Sequence, residues 1–127
     1  MIFGTGVDMV EIARIKTLYD KYGKKFLERI FSDTEIEYSL SKSNVKSAMS
    51  SLAARFAAKE AFVKALGTGV IKHINLKYIY VEIDDKGKPH IRLTRSIPYF
   101  DENSITNVHL SLSHTNEHAI ATVVLEK

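Results

Sequence analysis

The chain has 127 residues, of which 45% are hydrophobic and none is cysteine. That length suits one domain spanning residues 1–127, and the lack of thiols excludes disulfide bonds and thiolate metal sites, which favours a reducing, cytoplasmic compartment. The net charge of +3 allows an acidic partner without requiring one. No apolar run approaches the roughly 20 residues of a membrane span, so we expect no membrane association.

The first predicted element is a strand over residues 1–8, MIFGTGVD, with glycine at positions 4 and 6. Glycine inside a strand often marks the close approach of another backbone or of a ligand. Asp8 stands at the predicted exit of the strand. An aspartate in that place most often caps the next helix, and a role in a metal or phosphate site is the alternative.

Three helical segments are predicted next. Apolar residues recur at helical spacing from Glu11 to Tyr22, and a short amphipathic piece covers residues 26–31. Ser32 and Glu35 then match a capping box, which predicts a further helix to about Leu40.

A run of basic residues accompanies the first two of these segments: Arg14, Lys21, Lys24 and Lys25. Such a run is usually a solvated face. It could also dock an acidic protein, because charged patches steer association.

A connector rich in Ser and Lys, residues 39–51, leads into the most informative stretch, AARFAAKEAFVKALGTG, residues 53–69. Its good helix formers predict a helix from about Ser47, and Gly67 supplies the stop. At about 100° per residue, the charged side chains do not lie opposite the large apolar ones. The helix therefore has no wide solvated face, and we expect most of it to be buried.

Charges on such a helix need partners or a ligand, because burying them alone is costly. Glu60, flanked by Arg55, Lys59 and Lys64, suits a metal ion together with a polyanion such as a phosphate ester. The alternative is that Glu60 and Lys64 form an ordinary i,i+4 pair on an exposed surface.

The second half of the chain has the alternation that is typical of strands. Strands are predicted over residues 76–83 and 90–94, around a turn at 84–89, and a loop or short helical turn covers residues 96–103. Two further strands, through residues 108–113 and 118–126, flank a turn at His114. A helical first half followed by two hairpins predicts an α+β fold with a mainly antiparallel small sheet.

The penultimate strand places His109, Ser111 and Ser113 on one face, with His114 at its tip. Hydroxyl and imidazole groups there could bind a phosphate or a nucleotide. The plainer interpretation is that they are ordinary solvent-facing side chains of a half-exposed sheet.

Common catalytic templates are missing from the sequence. It contains no GxxxxGK[ST], no GxGxxG at a strand–helix junction and no HExxH. Asp8 and Glu60 are hard oxygen ligands, which suit magnesium better than zinc.

Four segments of the chain carry a resemblance to a known family: GTGVDMVEI, ERIFSDTE, RFAAKEAFVKALGTG and LSLSHTNEHAIATVV. In order and overall length they resemble the bacterial holo-acyl-carrier-protein synthases, which are small phosphopantetheinyl transferases. The resemblance runs nearly end to end and implies a phosphopantetheinyl transferase-like fold.

The resemblance implies that the chain transfers the phosphopantetheine arm from coenzyme A to a serine of apo-acyl carrier protein. It further implies a magnesium ion held by Asp8 and Glu60. Val10 stands where larger relatives carry a second acid, so only two protein carboxylates are expected. We expect Glu60 to accept the serine proton, directly or through a bound water. The other implied contacts are Lys64 with the phosphates, His114 near the nucleotide, and Arg55, Gly67, Gly69 and Ser113 along the coenzyme site.

The same resemblance implies partners. The basic run from Arg14 to Lys25 would meet the acidic carrier protein, and the family assembles as a homotrimer with its coenzyme site between subunits. The apolar strand residues Ala119, Ala121 and Val123 fit burial at such an interface or in the chain's own core.

Two other functions stay open from the residues. One is a non-catalytic module that binds coenzyme A or a nucleotide without transferring anything. The other is a small basic nucleic-acid-binding protein, which we do not expect because the chain lacks a basic stripe interleaved with aromatic residues.

Overall fold

A computed structural model describes residues 1–67 and 74–127. Helices fill most of the first half of the chain and strands most of the second, which confirms the predicted α+β class. In chain order the elements are β1 (Ile2–Glu11), α1 (Ile12–Tyr22), α2 (Lys24–Ile30), α3 (Asp33–Leu40), α4 (Val45–Leu66), β2 (Ile79–Ile83), β3 (Pro89–Leu93), α5 (Pro98–Glu102), β4 (Asn107–His114) and β5 (His118–Glu126).

Within residues 1–67 and 74–127, the strands form two antiparallel sheets instead of one. The larger sheet has the order β1-β5-β4, and β2 and β3 form a separate hairpin. β2 is shorter than predicted, because a single 3-10 turn over Leu76–Tyr78 precedes it. In the larger sheet, β5 is central and pairs Ala121 with Asp8 on one side and with Leu112 on the other.

Helix α4 packs along one face of the larger sheet, against β1 and β5. The residues of β5 that alternate toward this helix include Ala119, Ala121 and Val123, which are 0%, 0% and 1% exposed. These three side chains therefore belong to the chain's own core, and the alternative that they form an interface between subunits is wrong.

Strand β1 extends further than predicted and ends at Glu11 instead of Asp8. Asp8 therefore lies within a strand and does not cap α1. The residue in the capping position is Glu11, and its side chain makes no capping hydrogen bond. The more common role of an aspartate before a helix is thus excluded here.

Two helix starts show how local side chains set the boundaries. Ser32 Oγ accepts from the backbone N–H of Glu35, and the Glu35 carboxylate accepts from that of Ser32, which confirms the capping box. Helix α4 begins at Val45, slightly before the predicted start, because the side chain of Asn44 accepts from the backbone N–H of Ser47.

In the ranges 1–67 and 74–127, every helix is too short or too polar to cross a bilayer. The cytoplasmic location expected from the sequence stays a prediction.

Candidate active site

Two glycines let β1 lie directly on α4. A Cβ atom at Gly4 would overlap the carbonyl oxygen of Ala65, and one at Gly6 would overlap that of Ala61. The close backbone approach predicted from these glycines is therefore confirmed, and the alanine-rich side of α4 is the surface they approach. This contact places Asp8, two residues beyond Gly6, beside the same helix.

Asp8, Glu60 and Lys64 meet where β1 crosses α4, and we call these three residues the acidic cluster. Nζ of Lys64 lies 2.9 Å from Oδ1 of Asp8 and 3.1 Å from the carbonyl oxygen of Val7. The Asp8 side chain is largely buried, at 15% exposure, whereas that of Lys64 is about half exposed. The chain thus brings together two carboxylates that are distant in sequence, as their predicted common role requires.

Within the acidic cluster, the charged form of Glu60 is disfavoured by its surroundings. Partial burial raises the pKa of the Glu60 carboxyl, and the nearby charge of Asp8 raises it further. Lys64 and Arg14 act in the opposite direction without cancelling the rise. Two neighbouring carboxylates therefore share a region where the charge of one is unfavourable to the other.

Arg55 lies in a different place from this cluster. It follows the helix five residues before Glu60, which puts the two side chains about 140° apart around α4. Arg55 lines a cavity of about 500 Å³ together with Ser113 and His114 at the end of β4. None of the acidic cluster lines this cavity. In one copy of the chain, the predicted site residues therefore lie on two different sides of α4.

The cavity, which we call the basic cavity, holds a buried cation, and none of the described residues that line it is acidic. Arg55 is only 5% exposed, and its guanidinium donates to the carbonyl oxygen and to Oγ of Ser51. Its Nε has no hydrogen-bond partner in the described part of the chain. Burial lowers the pKa of Arg55, an effect that Glu35 and Tyr38 partly offset. Such an arrangement suits an anionic ligand.

Lys59 does not join Glu60, which corrects one expectation. The side chain of Lys59 is fully buried, and its Nζ lies 2.6 Å from Oε1 of Glu35. It also donates to the carbonyl oxygens of Leu76 and Ile79, and the second oxygen of Glu35 accepts from the N–H of Val81. This buried pair connects α3 and α4 to the β2–β3 hairpin. The three hydrogen bonds of the Lys59 ammonium all go to groups within the chain, so Lys59 is not available to a ligand.

Of the remaining predicted residues, the structure describes Gly67 at the end of α4 and the basic run on α1 and α2. Gly67 ends α4 with a positive φ of 125°, and its N–H donates to the carbonyl oxygen of Val63. Gly69 lies outside the described residues. The basic run of α1 and α2 is exposed, with Lys24 only loosely paired with Glu28 at 3.6 Å. Arg14 is close enough to the acidic cluster to affect the pKa of Glu60.

Sequence reasoning missed part of the basic cavity. Tyr38, Lys42 and Lys46 also line it, although Tyr38 belongs to a predicted helix and the two lysines to the predicted connector. The signal that could have found the lysines is their charge, because this connector leads directly into the helix that carries Arg55.

Comparisons with known proteins give a consistent result. The family model of the 4′-phosphopantetheinyl transferase superfamily matches residues 4–123. The holo-[acyl-carrier-protein] synthase of Halothermothrix orenii is 47% identical over 128 residues, covering 100% of this chain and 99% of that protein. The protein of the same name from Trichlorobacter lovleyi is also 47% identical, over 99% of this chain and 98% of its own.

Solved structures agree with the sequence relatives. The crystal structure of the holo-[acyl-carrier-protein] synthase from Neisseria meningitidis is 36% identical, with a TM-score of 0.88 over 100% of both chains. That of the enzyme from Bacillus anthracis, in complex with CoA (3′,5′-ADP), is 38% identical, with a TM-score of 0.81 over 98% of this chain and 96% of its own.

Proposed function

The chain belongs to the 4′-phosphopantetheinyl transferase superfamily, and on that premise we propose that it transfers the phosphopantetheine arm of coenzyme A to a serine of apo-acyl carrier protein. The products are holo-carrier protein and adenosine 3′,5′-bisphosphate. The observation that carries this proposal is the meeting of Asp8, Glu60 and Lys64 at one point of a chain whose full-length relatives are holo-[acyl-carrier-protein] synthases.

The acidic cluster fits a divalent cation. Burial and then the charge of Asp8 raise the pKa of Glu60, and a cation beside the two carboxylates would relieve the cost of ionising Glu60. The described residues offer no third acidic, histidine or cysteine ligand, so water and phosphate oxygens would complete the shell, as magnesium prefers. When bound, such an ion supplies neutralisation of charge on the pyrophosphate oxygens.

Glu60 is suited to accept the proton of the serine, and Lys64 is suited to stabilise the charge on the leaving group. As the serine Oγ forms its bond to the pantetheine-bearing phosphorus, the bond from that phosphorus to the adenosine bisphosphate oxygen breaks, and the serine proton goes to Glu60. A raised pKa makes Glu60 a better base near neutral pH. The half-exposed ammonium of Lys64 can stabilise the charge on the departing phosphate.

Coenzyme A would occupy the basic cavity through Arg55, Ser113 and His114. Because this cavity and the acidic cluster lie on different sides of α4, a complete site needs residues of two copies of the chain. The outer face of the larger sheet offers a surface for such copies, since Val7, Met9 and Ile120 are 52%, 64% and 37% exposed there. A homotrimer with the site between subunits is therefore part of the proposal.

Sedimentation of the chain tests this assembly. We expect a mass three times that of one chain, and we expect Met9→Asp to shift the species toward monomer and to reduce transfer in parallel. A fully active monomer would contradict the shared site.

The basic run supports docking of the carrier protein. Arg14, Lys21, Lys24 and Lys25 are exposed on α1 and α2, and Arg14 is the member nearest the acidic cluster. A positive surface beside the reacting groups would attract an acidic protein and orient its serine toward Glu60.

Mass spectrometry of an apo-acyl carrier protein tests the function as a whole. Incubation with the chain, coenzyme A and Mg²⁺ is expected to add one phosphopantetheine arm to the carrier protein, and omission of Mg²⁺ is expected to prevent it. Binding of coenzyme A without any change in the carrier's mass would instead identify a non-catalytic module.

A further inference from the structure

Among the described residues, three cationic side chains and no acidic one line the basic cavity. Lys42, Lys46 and Arg55 line it, together with serine, threonine and asparagine side chains and His114. Lys46 also belongs to the first turn of α4, where the helix dipole favours negative charge. Glu35, whose charge acts on Arg55, is itself held by Lys59 and two backbone N–H groups. The cavity therefore has a net positive lining.

Tyr38 joins two of these cations. Its ring centroid lies 4.0 Å from Nζ of Lys42 and 4.5 Å from Cζ of Arg55. The negative face of an aromatic ring attracts cations at such distances, and this attraction offsets the repulsion between the lysine and the arginine. The ring thus keeps two like charges close together at the wall of one cavity.

Two adjacent cations suit a dianion better than a monoanion. A phosphomonoester carries between one and a half and two negative charges at neutral pH, because its second pKa is about 6. Coenzyme A has one such group, on its ribose, whereas its pyrophosphate is the place where the bond breaks. The pyrophosphate must lie at the acidic cluster, where its bond breaks. Because Arg55 lies on another side of α4, the basic cavity is the place for the phosphomonoester.

We propose that Tyr38 is a positioning residue that holds Lys42 and Arg55 together and thereby makes the enzyme prefer coenzyme A over its 3′-dephospho form. This inference rests on the proposed function, because it concerns the donor of the same reaction. Tyr38 does not touch the reacting atoms and acts only through the two cations.

Steady-state kinetics with both donors tests the role of the ring. We expect Tyr38→Leu to raise the KM for coenzyme A about tenfold, with kcat nearly unchanged and the KM for 3′-dephospho-coenzyme A unaffected. Lys42→Met is expected to do the same. Tyr38→Phe keeps the ring and is expected to retain most of the preference. Lys86→Met removes one charge from the β2–β3 turn, away from the cavity, and is the matched control.

Equal increases in KM for the two donors would overturn the proposal, and so would a Phe variant as impaired as the Leu variant. Direct binding separates this failure from failure of the proposed function. Titration of the unmodified chain and of Tyr38→Leu with coenzyme A and with 3′-dephospho-coenzyme A, in the absence of carrier protein, needs no transfer. A preference for coenzyme A that is lost in Tyr38→Leu supports the inference even if no carrier protein is modified, and equal binding of both compounds to the unmodified chain contradicts it.

Discussion

Two neighbouring residues of α4, Lys59 and Glu60, show how differently one helix can treat its charges. Lys59 is fully buried and has every hydrogen-bond partner it needs within the chain, chiefly Glu35. Glu60 is half-buried, and its closest charged neighbours include Asp8, which carries the same charge. The first charge is satisfied by partners within the chain, whereas the second faces a like charge, as the proposed cation site requires. The difference separates a structural role from a chemical one better than burial or spacing does.

If the acidic cluster serves chemistry and not stability, removal of its charge must abolish transfer without unfolding the chain. We expect Glu60→Gln and Asp8→Asn each to lower kcat by two to three orders of magnitude, because a general base and a metal ligand contribute that much. Circular dichroism and the initial rate of carrier-protein modification measure the two effects. Full activity in either variant would remove that residue from the site.

For the buried pair of Lys59 and Glu35 we expect the opposite result, which is a loss of stability with little change in the rate of transfer. Lys59→Met leaves the Glu35 carboxylate buried without its main partner, and we expect a loss of about 3–5 kcal/mol in the free energy of unfolding. The kinetic constants of the molecules that stay folded should change little. Urea denaturation measures the first quantity and initial rates below the transition measure the second.

Lys16→Met is a matched control for that experiment. Lys16 forms an exposed pair with Asp20 at 2.6 Å, so its loss should cost less than about 1 kcal/mol. Similar losses in the two lysine variants would show that the buried network has no special importance for stability.

The sequence predicts local features of this fold better than it predicts partners. The capping box at Ser32 and the close approach at Gly6 were predictable because each depends on a short pattern with one physical cause. The partner of Lys59 was not, since Glu35 lies 24 residues away and a helical projection gives only the direction of a side chain. The same limit hid Tyr38 and Lys42, which reach Arg55 only through the packing of α3 on α4.

Arg14 is exposed and lies close enough to the acidic cluster to affect the pKa of Glu60. Reversal of its charge should therefore weaken the use of the carrier protein more than the use of coenzyme A. We expect Arg14→Glu to raise the KM for the carrier protein about tenfold and to leave the KM for coenzyme A within about twofold, with the effect shrinking as salt is added. Lys86→Glu makes the same change in net charge on the β2–β3 turn and controls for general electrostatics. Parallel increases for both substrates would argue against docking at Arg14.

The smallest expected effect concerns the pH dependence of stability. Because the folded chain raises the pKa of Glu60 above its unfolded value, the folded state binds the proton more tightly. Ionised Glu60 therefore costs stability at neutral pH, and this cost disappears as the pH falls through the raised folded pKa toward the unfolded one. Glu60→Gln, which cannot ionise, should be slightly more stable than the unmodified chain at pH 7 and should lose that advantage in acid.

A divalent cation should reverse this order. A ligand that binds only the folded state adds RT ln(1 + [L]/Kd) to the free energy of unfolding, so Mg²⁺ should raise the melting temperature of the unmodified chain at pH 7 and leave that of Glu60→Gln nearly constant. Thermal melts of both proteins at neutral and acidic pH, with and without Mg²⁺, measure the effect of pH and the effect of the cation on this order of stability. If Glu60→Gln were the less stable protein at pH 7 without metal, the carboxylate would be satisfied within the chain as Lys59 is, and the contrast between these two neighbours would not hold.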